Sequence, residues 1–446
     1  MVYKIEQVKE YIMNEIEQGN IKKGQRLPGC REVAIKLSVN KITVNKAYKD
    51  LEDLHILYCV PRGGYYFVGT DAKEVATSKT IDFQTVKPDP TLIPYKAFTH
   101  AINRAIEEHK KTLFNYDTSL GLKDLRETLK VRFEQNGVYT STSQILITHG
   151  AQQGIYLALK ALFSAASSGK LLVEIPTYNL VLDMANSLNI DYIGINRCEQ
   201  GINLDELEII FKNEYIKAFY IIPTYHNPTG YLLTEKDKKK IVELCYRYHV
   251  VLIEDDYLAD LALDRRILPL HYYDTNELTI YIRSFSKTFM PGIRLGTMVI
   301  PSTLCNIIIK YKYMLDISTS SITQGALDFF IKSGMYDQHI KKVNACYKRK
   351  LLKCKAILTH MSPSGLSFHV PNQGLFIWLT LPARVSVNVI IEKLARYNIQ
   401  VCSSSQFYTT NDVAQNLRLC ISSVPEEDIS ALTTVVEVIK NEMLMN

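Results

Sequence analysis

The chain opens with apolar residues at helical spacing, Ile5, Val8, Ile12 and Ile16, set among charged positions, and this period predicts one amphipathic helix from about Tyr3 to Glu17. Gly19 and Gly24 bracket a turn, after which LPGCREVAIKLSVNKITVNKAYKDLEDLHIL carries the helical period twice more. A second helix is expected from about Cys30 to Leu37, a short turn through Val39 and Asn40, and a third helix from about Thr43 to Leu54. That is helix-turn-helix spacing. The next stretch, ILYCVPRGGYYFVG, switches to alternation around Arg62, Gly63 and Gly64, which predicts a β-hairpin wing with a tip narrow enough for backbone to approach a groove.

From Gly69 to Thr80 the chain is polar. Residues 1–70 are therefore read as a winged helix-turn-helix domain, 71–80 as a linker and 81–446 as a second, larger domain. In the larger part, the apolar runs QILIT, KLLVEI, DYIGI, AFYIIP, VVLIE, TIYIRSF and GTMVIP alternate with helical stretches. This alternation predicts an α/β fold with a largely parallel sheet. The 446 residues suit one small module plus one large one. One basic stretch, HIKKVNACYKRKLLKCK, contains no acid, but Ile340, Val343, Tyr347, Leu351 and Leu352 keep helical spacing. It reads as a long amphipathic helix with a solvated basic side rather than a second DNA-binding face.

Composition changes this picture little. Hydrophobic residues make up 47% and charged residues 22% of the chain, the balance of a globular protein. No run approaches the roughly 18 to 20 apolar residues that span a bilayer, so a cytoplasmic protein with no membrane partner is expected. Nine cysteines lie far apart with no C-x-x-C, which argues against a metal site or a disulfide framework and for buried thiols.

Charge matters through its placement. The net charge is +6, yet between Asn20 and Lys49 eight basic residues face Glu32 alone, a local +7. Coinciding with a helix-turn-helix pattern, such a cluster points to double-stranded DNA: Lys and Arg supply phosphate contacts, and side chains early in the third helix read bases. Asn40, Lys41, Thr43 and Asn45 are the candidates, with Arg62 at the wing. The segment resembles the DNA-binding domain of the GntR regulator family, whose pattern runs L-P-S-x-R-x-L-A, then S-R-x-T-V, then A-Y-x-x-L. The resemblance implies that Arg31, Lys41, Thr43 and Gly63 occupy DNA-contacting positions. Lys41 stands where an arginine is usual, keeping a phosphate contact without the planar fork that reads guanine. Gly29 replaces the usual serine before the second helix, which removes a side-chain cap.

In open α/β sheets ligands gather at the carboxyl ends of the strands. After QILIT come His149, Gly150, Ala151, Gln152 and Gln153, opening an apolar helix whose free N–H groups suit a phosphate. After AFYIIP comes TYHNPTG with Asn227; after VVLIE come Asp255 and Tyr257; after TIYIR come Ser284, Lys287 and Arg294. These are the parts of a pyridoxal phosphate site: an amine to form an imine with the aldehyde, a carboxylate to keep the pyridine nitrogen protonated, and Ser284 with Arg294 to neutralise the phosphate.

From about Ile81 onward the chain resembles fold-type I aminotransferases through YDTSLGLKDLR, HGAQQG, EIPTY, HNPTG, EDDY, SFSKTFMPGIRLG, GLFIW and LRLCIS, in that order. The resemblance implies Lys287 as the Schiff-base lysine, Asp255 as the pyridine partner, and Asn227 and Tyr257 as ligands of the ring's 3-oxygen. It implies Tyr178 over the ring, Gly150, Ala151, Gln152, Ser284 and Arg294 around the phosphate, and Tyr116 reaching it from the neighbouring subunit of a homodimer. Arg418 matches the arginine that grips an amino acid's α-carboxylate. Three places depart from the pattern: the loop around Ser403 and Ser404 lacks Pro-Gly, Gln373 stands first in a usual Gly-Gly pair, and Leu180 replaces the arginine of relatives that sense γ-aminobutyrate.

A winged helix-turn-helix joined to an aminotransferase-like domain resembles the MocR subfamily of GntR regulators. It implies a transcriptional regulator that responds to pyridoxal phosphate or to a small amino compound condensing with it. A working α-amino acid aminotransferase with an accessory DNA-binding module is the alternative the residues leave open.

Overall fold

The computed structural model describes residues 2–54, 56–61, 63–69, 80–115, 118–164, 168–262, 267–409 and 415–445. Arg62, Tyr116 and positions 70–79, which hold nearly all of the expected linker, lie outside them. The chain separates into two compact units, Met1–Ser78 and Lys79–Asn446.

In the smaller unit three helices span Val2–Glu17, Cys30–Lys36 and Lys41–Asp53. They bury the stripes their periods defined, Ile5, Val8 and Ile12 from the first and Val44, Ala47, Tyr48 and Leu51 from the third. The Tyr48 hydroxyl, drawn into this core, donates to the Pro28 carbonyl at 2.9 Å. The second helix has no side-chain cap at Gly29. The third begins two residues earlier than its apolar period suggested, because Asn40 Oδ1 accepts from the Ile42 N–H at 2.9 Å and caps it. Leu57–Val60 and Gly64–Phe67 pair antiparallel as the wing. At its tip a Cβ on Gly63 would lie 2.9 Å from Val60 Cγ1, so packing as well as any groove contact requires glycine there.

The larger unit is built on an eight-stranded sheet. Its spatial order is 145–148, 296–299, 279–284, 251–256, 216–221, 170–175, 192–198, 201–202. The run from 279–284 to 192–198 is parallel, whereas 296–299 lies antiparallel between 145–148 and 279–284. The strands 145–148, 170–175, 216–221, 251–256 and 279–284 therefore end at one edge. A second, antiparallel sheet orders 367–369, 376–380, 416–420 and 402–403. The period of the sequence did not separate this sheet, since its strands are short and lie among loops.

The basic stretch forms part of a single helix, Met335–Met361, whose buried residues include Ile340, Val343, Tyr347 and Leu351. Much of its charge is paired. Lys350 is buried against Asp89 at 2.8 Å, and Arg349 and Lys353 share Glu426 at 3.1 and 2.9 Å. No helix among the described residues is long and apolar enough to cross a membrane.

Candidate functional site

Every residue expected to hold the cofactor or a carboxylate, Tyr116 apart, lines one cavity of about 400 Å³ at the shared strand edge. They arrive by six strands. Gly150, Ala151 and Gln152 open the helix Gly150–Leu162 directly after the 145–148 strand, and Tyr178 precedes the helix Asn179–Ser187 after 170–175. Asn227 follows 216–221, Asp255 sits within 251–256 with Tyr257 after it, and Ser284 ends 279–284 with Lys287 and Arg294 beyond it. Arg418 comes from the second sheet, in the strand Asn416–Cys420.

The phosphate end of this cavity is shaped by two glycines. Gly150 adopts φ +78°, and a Cβ on Gly296 would fall 2.6 Å from the Gly150 carbonyl carbon and 2.8 Å from the Ala151 nitrogen. Only a residue without a side chain lets the helix start lie this close to the neighbouring strand, with its first N–H groups unpaired by the helix itself. Arg294 Nη2 donates to the His149 carbonyl at 3.3 Å, which holds the guanidinium beside the helix start. Gly296→Ala is thus expected to push the helix start away by overpacking and to weaken pyridoxal phosphate binding by roughly tenfold or more. Quenching of protein fluorescence by the cofactor measures this, and unchanged affinity refutes it.

Asp255 is buried, and its Oδ2 accepts from Tyr220 at 2.7 Å. Its Oδ1 has no hydrogen-bond partner among the described residues. Burial pushes the carboxyl up to about 7, the Tyr220 bond pulls it down, Asp256 adds to the rise and Lys287 opposes it. Because the folded value exceeds the ordinary 3.8, the cofactor-free fold holds this proton more tightly than the unfolded chain does. The group therefore removes stability as pH rises from about 4 to about 7. Asp255→Asn is expected to flatten part of that fall in melting temperature while weakening cofactor capture. Melting curves of cofactor-free protein between pH 4 and 8 check the sign.

Lys287 is largely buried and donates to the Val86 carbonyl at 3.0 Å. Burial, then the nearby Arg418 and Arg294 cations, lower its ammonium below the usual lysine range, against the opposing influence of Cys420 and Asp255. A larger share of neutral, nucleophilic amine follows. Tyr178 accepts from Gln152 Nε2 at 3.2 Å. The Tyr257 hydroxyl donates to the Tyr225 carbonyl at 2.7 Å, so its lone pairs rather than its proton face a further partner.

Arg418 is clamped between the rings of Phe376 and Phe407, 4.8 and 4.9 Å from their centroids. It donates to the Gln84 carbonyl at 2.7 Å and reaches Asn227 Oδ1 at 3.4 Å. Among the described residues no carboxylate pairs with it, and its Nε has no partner. A buried guanidinium with a free edge is suited to a carboxylate ligand.

Sequence reading missed four contributors. Tyr220 orients Asp255, Ser286 lines the cavity beside Ser284, the 84–86 segment supplies carbonyls to Arg418 and Lys287, and Cys402 lines the Arg418 side. Tyr220 had a signal, a lone phenol in an apolar strand next to the one bearing Asp255. The 84–86 segment had none, since it acts through backbone.

The unpartnered Asp255 oxygen, the glycine-opened helix start beside Arg294 and the buried amine of Lys287 fit pyridoxal phosphate. Fold and site together define a pyridoxal-phosphate-binding α/β domain of the aminotransferase kind carried with a winged helix-turn-helix. The chain belongs to the family described as aminotransferase class I and II, matched over residues 90–436, with the bacterial regulatory proteins of the gntR family matched over residues 4–67, the combination found in MocR regulators. It is 36% identical to the uncharacterized HTH-type transcriptional regulator YcxD of Bacillus subtilis, over 93% of this chain and 94% of that one. It is 27% identical to aromatic-amino-acid aminotransferase 1 of Thermococcus litoralis, covering 83% of this chain and 90% of that protein. Among solved structures, a kynurenine aminotransferase of Pyrococcus horikoshii in complex with PMP matches at a TM-score of 0.77 and 27% identity, covering 82% of this chain and 92% of that one.

Proposed function

We propose that this protein is a pyridoxal-phosphate-dependent transcriptional regulator of the cytoplasm, binding operator DNA through its N-terminal unit and reading a small amino compound in the larger one. The observation that carries the reading is the presence in one chain of a basic winged helix-turn-helix and a cavity that gathers a buried amine, a buried carboxylate and an unpaired arginine. When bound, pyridoxal phosphate supplies an electrophilic aldehyde and an electron-withdrawing ring. Around it Lys287 offers the amine and Asp255 keeps a proton on the ring nitrogen. Asn227 and Tyr257 hold the ring oxygen, Tyr257 by turning its hydroxyl from the Tyr225 carbonyl to which it otherwise donates, and Tyr178 covers the ring face. The Gly150, Ala151 and Gln152 backbone, with Ser284 and Arg294, neutralises the phosphate. Arg418 orients the effector by its carboxylate.

The effector shifts DNA affinity only by the difference in its binding free energy between two arrangements of the protein. A homodimer supplies such arrangements and allows Tyr116 of one copy to complete the other's site. It is supported by Tyr313, Met314 and Leu315, consecutive and each at least half exposed on the single chain. The other cations lining the cavity, Lys287 and Arg294, are assigned to the cofactor, and two residues after Tyr178 stands Leu180, where a second clamp is missing. An amino acid with an uncharged side chain is thus expected to bind roughly tenfold or more tightly than a dicarboxylic one. Titrations followed by cofactor absorbance measure this ratio.

On the DNA side, Arg31, Lys41, Thr43, Asn45 and the wing tip with Arg62 and Gly63 are assigned to the duplex, whereas Asn40 spends its carbonyl oxygen on the helix cap. Lys41→Ala is expected to lower affinity for all sequences alike and to reduce the salt slope by about one. The function itself is tested by titrating the holoprotein with amino acids while following DNA mobility and keto-acid release together. A mobility change without keto acid supports the regulator; steady keto-acid production with DNA affinity unmoved supports the aminotransferase instead.

A further inference from the structure

The third helix of the small unit buries Val44, Ala47, Tyr48 and Leu51, and an isoleucine in its first turn stands outside that stripe. Ile42 is 73% exposed. Its backbone is fixed, because the Asn40 cap accepts from its N–H at 2.9 Å. Around it in sequence, Lys41, Asn45, Lys46 and Lys49 are all exposed, and none of the described acids of the helix falls in its first two turns. A bulky, β-branched, wholly apolar group is thus held at the start of a cationic helix face, where packing within the unit leaves it largely in the open.

The charge around Ile42 selects a polyanion as the occupant of this face, and the first turn of a recognition helix is the part that reaches base edges. On those edges the one apolar group in the major groove is the 5-methyl of thymine. We infer that Ile42 is a specificity-determining residue that packs on thymine methyl groups, so that the operator carries thymine at the positions facing the start of this helix. The inference rests on the proposed DNA-binding role of this unit. It assigns to Ile42 an apolar reading that complements Lys41, which contributes charge without a guanine fork.

The test uses the full-length protein loaded with pyridoxal phosphate. A duplex is obtained by in vitro selection from a random pool, and each thymine is then replaced singly by deoxyuridine, which removes the methyl and leaves the pairing edge intact. Competition binding is measured for the wild type, Ile42→Ala and Ile35→Ala. The last is a control, since Ile35 is 81% exposed but lies on the second helix. The wild type is expected to lose roughly fourfold per methyl at one or two positions in each half-site. Ile42→Ala is expected to bind the thymine duplex more weakly and to ignore the replacement at those positions, while Ile35→Ala keeps the wild-type ratio. Indifference of the wild type to every replacement overturns the inference, as does an unchanged ratio in Ile42→Ala. An altered oligomeric state of Ile42→Ala with the methyl preference intact overturns it too, making the residue a protein contact. A wild-type chain that selects no duplex at all sinks the DNA-binding reading and this inference with it, whereas a selected duplex bound without methyl preference sinks this inference alone.

Discussion

Lys287→Ala is expected to abolish the pyridoxyl mass that borohydride fixes on the peptide containing residues 284–294, and with it the response of DNA affinity to an added amine. The amine sits 3.0 Å from the Val86 carbonyl, and its burial, with Arg418 and Arg294 in the same cavity, lowers its ammonium below the usual range. Among the described residues no other lysine lines that cavity. Lys287→Arg keeps the positive charge but cannot supply a neutral nucleophile, so it should behave like the alanine variant. DNA affinity without amine is expected to stay within about twofold of wild type in both, because the helix-turn-helix forms its own compact unit with its own core. Peptide mass mapping and mobility shifts with and without the amine decide the matter. A full label retained in Lys287→Ala, or carried by another side chain in the wild type, removes the basis of the proposed function.

The largest effect on stability is expected from Asp260→Ala. Its buried carboxylate pairs with the fully buried Arg283 and with Arg132 at 3.2 Å, and accepts from Tyr336 at 2.7 Å. Burial opposes ionisation, but Arg283 and then Arg132 overcome it and hold the carboxyl at about 2. Removing it leaves Arg283 buried without an ion pair among the described residues, Asp256 acting on it only from beyond contact, at a cost of about 3–5 kcal/mol. For a unit of this size the melting temperature should fall by roughly 4–7 °C. A depressed carboxylate stabilises above its unfolded value and loses that contribution as pH falls through its folded one. The gap between wild type and variant should therefore stay constant from about pH 5 to 8 and narrow as the pH approaches 2. Thermal melts across that range test both magnitude and sign. The same carboxylate also bonds the Thr288 hydroxyl at 3.2 Å, and His339 bonds the Thr288 carbonyl at 2.8 Å. Cofactor capture by the adjoining Lys287 should weaken even in the fraction that remains folded.

Much of this was legible in the chain because it is local. Helix period placed the three N-terminal helices, short of the Asn40 cap that starts the third, and the apolar runs marked the strands whose carboxyl ends carry Asn227, Asp255 and Lys287. The four-stranded second sheet was not legible. Its members are two to five residues long, too short for a period to declare itself, and they meet only when distant segments fold together. The same holds for the Arg283, Arg132 and Asp260 cluster, whose members read separately as ordinary charged residues.

By itself, then, the sequence determined the two modules, the order of their elements and the residue types brought to the cofactor, since periodicity and motif spacing depend only on neighbours along the chain. Tertiary structure alone decided which groups lose their water and which find partners. It left Asp255 with one unbonded oxygen, left Arg418 buried without a carboxylate, and left Ile42 in the open. Those outcomes follow from burial and distance across the fold, and no local pattern encodes either.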